Sequence, residues 1–526
     1  MQRKSRSVHF PERAKILGCR GIRVSADRYL VLLLALTYGA TGCGSPARST
    51  QRSARIFEGQ TVRVACPGST VTAVIQRYSQ SWSLQTGARV EPVPYDPRTG
   101  PDQGPPADLW IVTPARMPYW AAAGKLQEVP PAITAEGGAF AWEKILRAYQ
   151  KLLSWDGKAL ALPLLGDELL CFYREDLFQD PAIRAAYKKS HAADLPAPGA
   201  GPRTWQELAD IAEYFNKQNR PGVNRPLPSL PPLPANDDEL DREFYSVVVP
   251  FAHHGVRTDE RRPPPDNEML SFHYDLETGK ARISAPGFVK GLEMLKRLQD
   301  CRPAGEAAEP PASFQKGEAM LCLASPSWIG RFANEPALQG KWGFCRPPGS
   351  RLVFDYRSGN ERAVPEGNFV PYLGARGWLA VVPRSNASPE AAFALAAMLA
   401  GPQTSREIVI EPEWGGGVFR REHLDSRSGW QAFGLGDKTE SLVETVRELV
   451  IHAQLRNPVT RLRIPDEREH QLALLQEVRQ TLLHGKAPAK ALADAERRWQ
   501  DIDQKKDAKI QRSEYRLSLS LSGNSH

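Results

Sequence analysis

Residues 61 to 113 carry the pattern that most restricts the fold. Thr61–Cys66 alternates, with Val62, Val64 and Cys66 sharing one face, as a half-buried strand does. Pro67-Gly68-Ser69-Thr70 turns the chain, and Ser69 or Thr70 can cap the next helix. Val71, Val74, Ile75, Tyr78 and Trp82 then recur at helical spacing until Gly87 stops the run. Ala88–Val93 reads as a second strand and Asp108–Thr113 as a third, apolar enough to be buried on both faces. Strand, helix and strand at this spacing predict a parallel sheet, because a helix between strands makes a crossover rather than a hairpin. The expected class is α/β.

The chain has 526 residues, ample for two lobes with separate cores. Thr204-Trp205-Gln206-Glu207 is a capping box ahead of Leu208, Ile211, Ala212 and Phe215. Ser388-Pro389-Glu390 opens a helix to Leu399, and Gly401-Pro402 ends it. From Thr439 onward the pattern is helical over Leu442–Leu455, Glu467–Leu483 and Ala487–Ile502, and the polar residues after Lys505 are expected to fray. Four proline-rich stretches, Leu195–Pro202, Pro221–Pro234, Arg261–Pro265 and Arg302–Pro311, read as surface insertions.

The amino-terminal segment carries most of the charge. Residues 1–28 hold eight Lys/Arg against two Asp/Glu, a net of +6 that leaves +2 of the overall +8 for the rest. The apolar run Tyr29–Leu36 follows, then Ala40-Thr41-Gly42-Cys43 and a polar linker. Charge, a short apolar run and small residues form a secretory signal, and the run is too short to span a bilayer. Cys43 resembles a bacterial lipobox cysteine, whose thiol is lipidated; an ordinary signal with an incidental Cys is the alternative. The basic balance therefore belongs to export, and no nucleic-acid partner is expected.

Catalytic signatures are missing: the sequence holds no G-x-S-x-G, P-loop, G-x-G-x-x-G or H-E-x-x-H. His253-His254 reads as a surface loop, because adjacent side chains diverge. Asp167 and Glu168 are adjacent too, so they make a poor acid/base dyad. Beyond the signal lie Cys66, Cys171, Cys301, Cys322 and Cys345, without metal-site spacing. Cys66 and Cys171 read as buried thiols, and Cys322 and Cys345 could be bridged. No metal and no cofactor is expected. Trp328, Trp378 and Trp414 stand in turn-rich stretches, where indole faces suit sugar rings. Core packing is an equal alternative for Trp328 and Trp378, whereas the glycines around Trp414 favour an exposed site.

Several blocks in this order resemble the extracellular solute-binding proteins of bacterial ABC importers, particularly the carbohydrate-binding group with the maltose-binding-protein type of fold. They are Thr61–Cys66 with its helix, Ala107–Trp110, Trp120–Leu126, Ala161-Leu162-Pro163, Leu170–Phe178, Phe314–Met320 leading to Trp328, Gly374–Pro383 with Ser388–Leu399, and Gly485–Leu492. One departure is Tyr173-Arg174, where the family has Tyr-Asn. The resemblance implies a type II periplasmic-binding-protein fold with a helical carboxy-terminal region, arranged as a signal (1–43), a linker (44–55), lobe I (56–160 plus 352–405), lobe II (161–351 plus 406–505) and a flexible tail (506–526). It implies a monomer that takes a sugar from solution, delivers it to permease subunits, and is held to the membrane by lipid on Cys43. Ser69, Asp108, Asp167, Glu168, Trp328, Arg376, Trp378 and Trp414 are the expected ligand contacts, with a buried cap or salt bridge as the alternative for Asp108. Gly68-Ser69 and Thr113, beyond strand carboxyl ends, are expected near the cleft. No catalytic residue is expected. A lipid-anchored sensor without transport, or a secreted enzyme on this scaffold, are the rival readings.

Overall fold

A computed structural model of the protein describes residues 55–521 apart from 98–103, 221–222, 227, 412–413, 426 and 454. Cys43, the signal and residues 44–54 lie outside the described residues.

The first lobe is built on β1 (Thr61–Pro67), α1 (Ser69–Thr86), β2 (Arg89–Tyr95) and β3 (Leu109–Val112). β1 runs parallel to β2 and to β3, as the spacing predicts. Val71, Val74, Ile75 and Trp82 bury one stripe of α1, and Gly87, at φ 80°, closes it by donating to the Ser83 carbonyl. Ser69 does not cap α1 but begins it; the cap is Gly68, whose φ of 93° favours glycine.

The chain leaves this sheet through β4 (Leu162–Leu165) and enters the second lobe at β5 (Leu170–Arg174). There α2 (Trp205–Asn216), α3 (Asp237–Ala252) and α4 (Pro286–Gln299) pack beside an antiparallel sheet in which β5 lies between β6 (Leu321–Ala324) and β7 (Trp342–Cys345). β8 (Trp378–Val381) then returns to the first sheet, antiparallel to both β3 and β4. α5 (Pro389–Ala400) follows it. The carboxy-terminal helices are α6 (Thr439–Ala453), α7 (Glu467–His484), α8 (Pro488–Asp503) and α9 (Ala508–Ser518).

Four expectations change. Leu162–Leu165 pairs with β8, so the handover between lobes falls at Gly166–Leu169 rather than at residue 160. Buried Arg420 donates to the carbonyls of Phe140, Ala141 and Ala400, which seats that part of the 406–505 stretch on the first lobe. The tail is not frayed through 506–518: Asp507 caps α9, and buried Tyr515 accepts the backbone N–H of His273 at 3.2 Å. One aromatic anchor outweighs the polar composition there. His253 is not on a surface loop either, since it is buried against Asn457.

Burial pushes His253 and His273 down to about 3 and His423 well below its usual value, while Asp241 is pushed up to about 7 and Glu168 well above the carboxylate range. Below about pH 6.5 the unfolded chain binds protons that the folded histidines refuse, so stability falls on acidification by up to about 1.4 kcal/mol per unit for each. The two acids work the other way until the unfolded carboxylates also protonate, near pH 4. Urea midpoints are therefore expected to fall gently from pH 6.5 to 4.5 and steeply below 4; an equal slope throughout would contradict this.

Candidate functional site

At the handover out of the first sheet, the backbones of Gly166 and Gly417 cross with almost no side chain between them. The Gly166 N–H donates to the Gly417 carbonyl at 2.9 Å. A Cβ on Gly417 would stand 2.5 Å from the Gly166 carbonyl oxygen, and one on Gly166 would stand 2.6 Å from that of Val418. Both positions therefore need glycine for close approach.

Around this crossing lies a cavity of about 410 Å³ lined by Ser69, Asp167, Glu168, Arg376, Trp378 and Trp414, among others. Ser69 sits at the start of α1, whose first N–H groups lack intrahelical partners. Trp378 and Trp414 stack with ring centroids 6.4 Å apart and planes 30° from each other. Trp414 is buried rather than exposed, because its neighbouring glycines let the backbone pack tightly, and its indole N–H has no partner among the described residues.

A second cavity of about 820 Å³ shares Thr70, Arg242, Ser325, Ser327 and Arg376 with the first, so the two are continuous. Trp328 lines it, with the Arg331 guanidinium 4.4 Å above its ring. Its wall includes Leu230, Pro231 and Pro234 from one proline-rich stretch and Arg302, Pro310 and Pro311 from another. These stretches are not plain surface insertions. Leu233–Pro234 pairs with Glu306–Ala307, and buried Leu230 and Leu233 anchor the first to the core.

The two adjacent carboxylates diverge and are both engaged inside the protein. Asp167 meets buried Arg242 at 3.1 Å and accepts the Arg376 backbone N–H at 2.9 Å. Glu168 accepts the Val418 N–H at 2.9 Å and the Tyr149 hydroxyl at 3.3 Å. Their chemistry is to hold the crossover segments together. Asp108 does not line either cavity: it precedes β3, at the strand's amino end, and accepts the Arg63 N–H at 2.8 Å. It is half-buried and tied to β1, neither the expected ligand contact nor a buried cap. Thr113 is not a lining residue, its carbonyl being turned to the Arg116 N–H.

Arg242, Glu239 and Arg302 line the cleft without having been singled out from the sequence. The signal available was Asn236, which accepts the N–H groups of Asp238 and Glu239 and so starts α3. Every guanidinium of the cleft has a carboxylate: Arg242 with Asp167, Arg376 with Glu239, Arg302 with Glu243, and Arg331 with Glu309.

Residues 96–415 match the family described as bacterial extracellular solute-binding protein. No curated protein sequence matches the chain. Among solved structures, the chain is similar to maltose-bound MalE3 of T. maritima, with a TM-score of 0.59, 16% identity, and 84% of this chain and 100% of that one covered. It is similar to an ABC transporter solute-binding protein of Agrobacterium radiobacter K84 in complex with ribitol, with a TM-score of 0.58, 18% identity and coverage of 85% and 99%. The sugar-binding protein MalE of the phytopathogen Xanthomonas citri gives a TM-score of 0.58, 17% identity and coverage of 85% and 98%. At these identities the likeness is one of fold, the two-lobed type II periplasmic-binding arrangement.

Proposed function

Because the chain belongs to the bacterial extracellular solute-binding proteins, we propose that it captures a neutral mono- or oligosaccharide in this cleft and delivers it to an ABC permease. The observation that carries the reading is the stacked pair Trp378 and Trp414 on a cavity continuous with the one beside Trp328. Indole faces bury the C–H faces of sugar rings, and the free Trp414 N–H, Ser69 and the start of α1 can meet hydroxyls. The paired charges of the cleft favour an uncharged ligand, since an anion would find no unspent cation among these four arginines. Maltose and ribitol, named for two of the similar structures, are uncharged polyols as well.

Hinge closure about the Gly166–Leu169 handover would bury the ligand and create the shape a permease reads. The engagement of Asp167 and Glu168 inside the protein supports binding without turnover. Membership of an extracellular family means export, and lipid on Cys43 would keep the receptor beside its transporter at high effective concentration.

Calorimetry against neutral sugars, a polyol, a peptide and an anion tests the ligand class. A neutral glycan is expected to bind; tight binding of the anion or peptide with no sugar bound would overturn the reading. Labelled fatty acid incorporated by the wild type and absent from Cys43→Ser is the expected result for the anchor.

A further inference from the structure

The five described cysteines are odd in number and all reduced, yet they are not equivalent. Cys66 lies in the first sheet and Cys301 just beyond α4. Cys322 lies opposite Phe172 on β6, whereas Cys345 lies opposite Cys171 on β7. β6 and β7 flank β5 on opposite sides, so Cys322 and Cys345 are two strand spacings apart, about 9.6 Å, beyond disulfide reach. The bridge the sequence left open between them cannot form.

Cys171 and Cys345 are direct cross-strand partners in the β5–β7 ladder. Residues directly opposite in an antiparallel ladder have Cα atoms about 4.5 or 5.5 Å apart, and both spacings fall in the range a disulfide spans. Cys345 is partly exposed, while the other four thiols are buried. One thiol that an oxidant can reach, backed by one that cannot leave its side, is the arrangement that forms a bridge rather than a mixed adduct. Membership of an extracellular family adds an oxidising compartment.

We propose that Cys171 and Cys345 form a disulfide after export, locking β5 to β7 along the wall of the larger cavity, which Cys171 lines. The Cys345 thiolate attacks one sulfur of a dithiol oxidant in its disulfide form, and the other sulfur leaves as a thiolate. The Cys171 thiolate then attacks the Cys345 sulfur and expels the oxidant's second thiolate. Two thiol protons and two electrons end on the oxidant, now a dithiol. Cys66, Cys301 and Cys322, buried and without a partner at bonding distance in the register, stay reduced, which accounts for the odd count.

The test is peptide mapping of the exported wild-type protein, alkylated in denaturant without reductant. The expected result is one joined peptide pair carrying Cys171 and Cys345, two hydrogens lighter than its reduced form, with Cys66, Cys301 and Cys322 alkylated. Alkylation of both Cys171 and Cys345, or a bridge that includes Cys322, would overturn the proposal. Oxidised glutathione added to the purified, reduced wild type is expected to give the same pair and to raise its Tm. Cys345→Ser, chosen because that residue is the less buried of the two, is expected to show neither response; a wild type that keeps both thiols alkylatable after this treatment also counts against the bridge.

Discussion

Arg461→Leu is expected to destabilise the protein by about 3–5 kcal/mol, the cost of removing one side of a buried ion pair. Arg461 is only 5% exposed at its side chain and holds Glu467 at 2.6 Å and Asp238 at 2.9 Å, with Asp241 at 4.0 Å. Its backbone N–H donates to the Leu373 carbonyl at 2.7 Å, so it joins the returning crossover to α3 and α7. Without it, Asp241 and Glu467 remain buried with no cation beside them. Asp241 is already pushed up to about 7 by burial and also receives the Tyr372 hydroxyl at 2.8 Å, so it relaxes by staying protonated. Urea unfolding of Arg461→Leu and of the double variant with Asp241→Leu measures the coupling. The double loss is expected to be smaller than the sum of the single losses. Arg461→Lys keeps the charge but not the fork, and an intermediate loss is expected. A loss below about 1 kcal/mol in Arg461→Leu would show that the network is not a tie between these elements.

The second large effect concerns binding. Trp378→Ala and Trp414→Ala are each expected to weaken the bound sugar by about 2–4 kcal/mol, or roughly 30- to 1,000-fold in Kd. The two residues differ in a way that separates stacking from hydrogen bonding. Trp378 is half-buried at the start of β8, whereas Trp414 is buried with an N–H that finds no acceptor among the described residues. Trp414→Phe keeps a ring and removes the donor, so a loss of roughly tenfold is expected if the ligand accepts that N–H. Trp378→Phe is expected to lose less than Trp378→Ala by a wide margin. Melting curves without ligand, run on the same variants, separate a damaged fold from a damaged site. Unchanged Kd in both alanine variants would remove the indole pair from the site.

The legible part of the fold was the part written in short-range periodicity. β1, α1, β2 and β3 follow one another in the chain and bury one face each, so their pattern announces them. The antiparallel insertion of β8 between β3 and β4 was not legible, because its partners lie hundreds of residues upstream and no local pattern encodes them. α3 was hidden by the proline-rich stretch before it, and with it the arginine that meets Asp167. Glycines misled at Trp414: they marked a close crossing of backbones, not exposure. Asp108 belonged to the right strand but the wrong end of it. Ser69, Asp167, Glu168, Arg376, Trp378 and Trp414 come together around one cavity because each stands at a strand end or a crossover. That regularity of open α/β sheets is the one piece of long-range geometry a strand pattern carries.

The seat of α9 has a consequence for biogenesis. Tyr515 reaches the backbone of Phe272 and His273, and Arg463 bonds at once to the carbonyls of Leu152 and Ser518. The first sheet likewise waits for Trp378–Val381. Synthesis runs from the amino end, so neither lobe can close its last contacts while the carboxy-terminal segment is still in the ribosome.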